Sequence, residues 1–132
     1  MTQDFPDLDP KEFQPLLPAD VELQLRYLSR KIFAAQKENA DIEKSYAQAK
    51  ANLEVKMAKS RLKYAGESKT NGKNYTVDER EDHAIEDNEE AYLALAIEEA
   101  KVKASRGLIN SLATQTDIVR SVSSSVKASM NL

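Results

Sequence analysis

Between Lys56 and Tyr75 the chain collects cations and phenol rings at spacings suited to gripping a polyanion. Lys56, Lys59 and Lys63 stand three and four residues apart, so on a helix they share a face. Arg61 is turned about 200° from Lys59, which makes the group a basic collar more than a single stripe. Lys69 and Lys73 follow in a short polar stretch, flanked by Tyr64 and Tyr75. Phosphate contacts from the cations, with bases stacked on Tyr64 or Tyr75, would suit single-stranded nucleic acid. The same residues support a plainer arrangement. In a hairpin folded about residue 71, Lys59 comes near residue 83 and Lys63 near residue 79. The collar then lies along Glu79, Glu81, Asp82, Glu86 and Asp87, and the two blocks neutralise each other through surface ion pairs of modest worth.

A second cluster, Glu86-Asp87-Asn88-Glu89-Glu90 with His83, has the carboxylate spacing that can chelate a divalent ion on a helix. No second motif converges on it, and a solvated helical face accounts for it better. No glycine-rich phosphate loop and no nucleophile–base set occurs. With no cysteine and a single histidine among 132 residues, disulfides, thiolate nucleophiles and Cys-ligated zinc are excluded, and a His-based centre is disfavoured. The expectation is a protein that is not an enzyme and needs no cofactor or metal. Absence of cysteine also fits a reducing compartment, hence the cytoplasm. No apolar run approaches the ~20 residues of a membrane span, and the acidic start lacks the features of a signal peptide.

The net charge of −3 hides a blockwise layout. Residues 1–43 carry five basic and nine acidic side chains, and residues 44–73 carry eight and two. Residues 74–100 carry one basic and ten acidic, and residues 101–132 five and one. At ordinary salt a polyanion feels charge within about 10 Å, so the blocks matter more than the total.

The elements that must hold these residues are long helices. All four prolines fall in residues 1–18, which are expected to form an extended acidic tail with apolar anchors such as Phe5 and Leu8. Residues 19–132 form the helical domain. Its first helix is expected over about Asp20 to Ala65, with an apolar seam at Val21, Leu25, Leu28, Ile32, Ala35, Ile42, Tyr46, Ala49 and Leu53. Steps of four and three over more than four heptads mark a coiled-coil seam, with Asn39 filling one place. The register then slips to Met57 and toward Tyr64. Gly66 suits a helix C′ position, Asn71-Gly72 a turn, and Thr76-Val77-Asp78-Glu79 a capping box. A second helix is expected over about Val77 to Ala128, with its seam at Ala84, Asn88, Ala91, Leu95, Val102, Ile109, Leu112, Val119 and Val126. The fold class is therefore all-α: two long helices in a hairpin or coiled coil, behind a Pro-rich N-terminal tail. Leu23, Tyr92, Leu93, Ile97, Leu108 and Ile118 fall off the seams, which predicts assembly into a helical homo-oligomer.

The segment Lys59-Ser60-Arg61-Leu62-Lys63-Tyr64-Ala65-Gly66 resembles the Lys-x-Arg-Leu-x-Tyr stretch, closed by glycine, of the UvsY family of phage recombination mediators. The order of elements around it is similar too, over roughly residues 44–125. The closing helix differs in lacking the family's Trp and Phe, the tail differs, and the pI of 5.3 is low for a DNA binder. The resemblance implies an oligomeric helical protein, in a host-cell cytoplasm, that binds single-stranded DNA. It also implies help in loading a RecA-type recombinase in place of single-strand-binding protein. Lys59 and Arg61 match the family's basic pair, and Arg120 is a further carry-over. Lys56, Lys63, Tyr64, Lys69 and Lys73 join the candidate DNA-binding set from charge and proximity alone.

The alternative is a coiled-coil adaptor, scaffold or host-protein inhibitor, with the acidic tail engaging a protein partner. The tail segment Asp4-Phe5-Pro6-Asp7-Leu8-Asp9 also has the charge to imitate DNA and compete for the collar.

Overall fold

The computed structural model describes residues 18–130, and of Met130 the backbone alone. The acidic tail and its proposed competition with DNA lie outside the described residues, apart from Pro18. That residue opens helix α1 (Pro18–Gly66). Proline suits a first helical position, because its missing N–H would find no partner there and its φ is already helical. No glycine or proline interrupts the helix before Gly66, and Lys63 in the last turn complements the negative end of the helix dipole. Gly66 does not take the left-handed C′ conformation expected of it. It ends α1 with ordinary helical handedness, and Gly72 is the glycine with positive φ, at 79°.

That left-handed backbone makes the turn signalled by Asn71-Gly72. Gly72 donates to the Lys69 carbonyl at 2.9 Å, and Lys69 donates to Lys73 at 2.8 Å. The Asn71 side chain accepts from the Lys73 amide at 3.0 Å. An isolated antiparallel bridge joins Ser68 and Asn74. Helix α2 (Val77–Asp87) then starts at Thr76, whose hydroxyl accepts the Glu79 amide at 3.2 Å, as the capping box predicts.

The second long helix is not continuous. It breaks at Asn88 into α2 and α3 (Glu89–Met130). The cause is local competition for a carbonyl. The Asn88 side chain donates to Ala84 O at 2.8 Å, taking the acceptor that its own amide would use in a helix. That amide shifts to Ile85 O at 3.2 Å, and Tyr92 N–H restarts the ladder on Asn88 O. Periodicity alone placed Asn88 on the seam, and it is indeed buried, but it acts as a joint.

The chain divides into two compact units. In one, residues 18–33 of α1 pack against residues 111–130 of α3 around Val21, Leu28 and Val119, with Leu25, Tyr27 and Leu112 alongside. The other, residues 34–110, has Leu53, Met57, Ala84 and Ala91 at its core, with Leu95 packed on them. Every seam position predicted on α1 and on the second helical stretch is buried or half-buried. Among the described residues no helix is long and apolar enough to cross a membrane.

Candidate nucleic-acid interface

The last turns of α1, the turn after it, and α2 all belong to the unit of residues 34–110, and they bring seven of the eight candidate residues together. Met57, Ser60 and Tyr64 point α1 toward α2, since Met57 and Tyr64 are buried and Ser60 is half-buried. This orientation sends Lys56, Lys59 and Lys63 to one flank of the helix and Arg61 to the other. The two flanks meet different surroundings.

Lys56, Lys59 and Lys63 are exposed and form no ion pair with any described residue. Lys63 Nζ lies 5.3 Å from the Tyr64 ring centre, a cation–π distance. On the opposite flank, Arg61 forks onto Glu81, with Nε to Oε2 at 2.7 Å and Nη2 to Oε1 at 2.8 Å. Planar two-point pairing of this kind is the strongest geometry a guanidinium makes with a carboxylate. It raises the Arg61 pKa further above its ordinary value and lowers that of Glu81.

Lys69 is likewise taken, by Glu79. The Lys69 ammonium, then the hydroxyl and backbone amide of Thr76, hold the Glu79 carboxyl below its ordinary value. Lys73 is exposed at the turn without an ion pair among the described residues. Arg120 is exposed on α3 but belongs to the other compact unit, so the candidate surface does not include it.

Tyr64 is not placed for stacking on a base. Its ring is buried, lying flat against His83 at 4.8 Å and 19°, with Tyr75 edge-on at 5.4 Å. Tyr75 also meets His83 edge-on at 5.1 Å. The Tyr64 hydroxyl donates to Asp87 Oδ2 at 2.6 Å. That bond, then burial and the Asp87 charge, push the phenol up to about 12. The ring trio therefore ties the end of α1 to α2.

In the acidic run, Asp87 accepts from Tyr64 and Asn88 faces inward, donating to Ser60 Oγ at 2.9 Å and touching Met57 Sδ at 3.8 Å. Among the described residues no three acidic or histidine side chains converge as a cation site. Sequence reasoning missed the Tyr64–His83–Tyr75 trio and the Asn88 joint. The aromatic spacing gave no sign of the first. An amide at a seam position was the available sign of the second.

No known protein family matches the chain, and no curated protein or solved structure is detectably similar to it.

Proposed function

We propose that this protein is a non-enzymatic recombination mediator that binds single-stranded DNA and helps load a RecA-type recombinase in place of single-strand-binding protein. One observation carries the DNA-binding part: Lys56, Lys59 and Lys63 form a row of exposed cations, one helical turn apart, that no described acid neutralises. The local resemblance to the mediator family centres on the same stretch and supplies the recombinase step. With Tyr64 buried, contact is mainly with phosphates, so base preference is weak and salt dependence steep. Each copy contributes a short row of charge, and several copies on one strand gain affinity by avidity. Arg61 joins only if DNA displaces Glu81.

The second reading, a coiled-coil adaptor, scaffold or host-protein inhibitor, draws on the other flank. There the Arg61–Glu81 and Lys69–Glu79 pairs use the collar for internal neutralisation. Fluorescence anisotropy of a labelled single-stranded oligonucleotide at several salt concentrations separates the two. The mediator reading expects binding that the triple variant Lys56→Ala/Lys59→Ala/Lys63→Ala largely loses, with a salt slope lower by about 2 for three lost phosphate contacts. Absence of binding at low salt, by a protein that circular dichroism shows to be helical, favours the adaptor.

A further inference from the structure

The outer face of α3 carries an apolar stripe that the described residues leave uncovered. Leu93, Ile97, Ala100, Ala104 and Leu108 recur at steps of four, three, four and four. At 3.6 residues per turn they fall within an arc of roughly 80°. All five are exposed, the larger ones substantially: Leu93 62%, Ile97 50% and Leu108 51%. Single exposed leucines are ordinary, whereas a continuous stripe of them marks an association surface. Beside it runs an open groove of about 510 Å³, to which Ala104 and Leu108 contribute together with Ile42 of α1. Gly107 borders the stripe. Glycine inside a helix costs about 1 kcal/mol relative to alanine. This one has helical φ, and nothing lies within 4 Å of where a Cβ would stand. The described residues give no reason for it, while close approach of another helix does.

Charge along α3 identifies the occupant. Residues 86–99 carry six acidic side chains and no basic one. Residues 101–110 carry Lys101, Lys103 and Arg106 and no acidic one. The sign changes at Ala100, the middle of the stripe. Arg106 is engaged by Glu43, with Nε at 3.1 Å, and Lys101 reaches Glu98 at 3.4 Å, while Lys103 makes no ion pair among the described residues. A second copy lying parallel would set acid on acid and base on base. A second copy lying antiparallel brings Glu98 and Glu99 of each helix over Lys101 and Lys103 of the other, and also brings Leu93 opposite Leu108 and Ile97 opposite Ala104.

We propose that two copies of this chain associate through the Leu93–Leu108 face of α3, antiparallel, about a two-fold axis passing near Ala100. Such an interface is self-complementary, as two-fold symmetry requires. Ala100 and Ala104 at its centre let the helix axes approach to the short end of the usual 8–10 Å. The proposal does not depend on the DNA-binding reading, because association is measured here without DNA.

Sedimentation equilibrium of the full chain tests it. The wild type is expected at twice the 14.8 kDa chain mass and Ile97→Lys at once that mass, with equal helicity by circular dichroism. Because the chain has no cysteine, disulfide trapping reads the orientation directly. Ala100→Cys is expected to cross-link to itself. Leu93→Cys is expected to cross-link to Leu108→Cys when the two are mixed, and not to itself. A single-chain mass for the wild type at every concentration would overturn the proposal. So would self-linking of Leu93→Cys, or an Ile97→Lys protein that keeps the wild-type mass.

Discussion

Lys59 and Arg61 are two residues apart on the same turns of α1, and both match the basic pair of the mediator-like motif. Lys59 faces outward on a flank with Lys56 and Lys63, where no described carboxylate reaches it. Arg61 faces α2 and is held at two points by Glu81. A rotation of 200° about one helix axis separates charge available to a partner from charge consumed by the fold. Counting basic residues in a block therefore overstates the field a ligand meets, and the flank that each residue occupies is the better guide. The two flanks share a floor. Between them Ser60 accepts from the buried Asn88 amide, which pins these turns to the α2–α3 joint.

The largest effect is expected from removing that floor. Asn88→Ala deletes the bonds to Ser60 and Ala84 O and leaves their buried surroundings unfilled. Unfolding in denaturant should show a loss of about 1–3 kcal/mol. Far-UV circular dichroism should show no loss of helix, since alanine removes the side chain that competes for the Ala84 carbonyl. Equal stability of the variant would mean that the joint holds nothing in place.

Next comes the contrast between the flanks themselves. Lys59→Ala should weaken single-stranded DNA binding by about three- to tenfold at low salt, and Arg61→Ala by clearly less, when both are titrated in the same buffer. Equal losses would erase the distinction. Sharpening it from the other side, Glu81→Gln removes the carboxylate that competes for Arg61. A gain of about two- to threefold in affinity is expected, in keeping with the modest worth of an exposed pair. Unchanged affinity would show that Arg61 lies out of reach of the strand even when released.

The smallest effect is on acid stability. Glu79 and Glu81 are held below their ordinary value of 4.5 by Lys69 and Arg61 respectively. Their contribution to stability is fully present above that value and is lost as pH falls through the lowered folded values. Thermal melts from pH 6 to pH 3 should show a decline that is smaller in Glu81→Gln, which has no carboxyl left to protonate. A decline of the same size in both proteins would place the acid-sensitive groups elsewhere.

Much of the fold was legible because burial and helical period are the same information. The four–three steps from Val21 to Leu53 and the heptad-spaced seam from Ala84 to Val126 predicted the buried seams position by position, and Thr76 predicted a helix start. What periodicity does not carry is competition for backbone acceptors. It put Asn88 correctly inside but gave no sign that its side chain would take the Ala84 carbonyl and end α2. The meeting of the collar with the acidic block was also legible, and the Arg61–Glu81 pair follows the register of a fold about residue 71. The register of the packing itself was not. Ser60 with Asn88 and Lys69 with Glu79 both centre near residue 74, while the Ser68–Asn74 bridge keeps the centre at residue 71. Three residues of slip were enough to bring Tyr64 beside His83 and Asp87, where it is buried.

In the proposed function, DNA uses one flank of α1 and leaves the other to the fold. The most direct measurement is amide and side-chain chemical-shift perturbation in the isotope-labelled full chain, titrated with an oligothymidine at low salt. Shifts are predicted to concentrate at Lys56, Lys59 and Lys63 and to fade as salt rises, with Arg61 and Glu81 moving little. Perturbation centred on Arg61 and Glu81, or none anywhere at a concentration that saturates other single-strand binders, would contradict it.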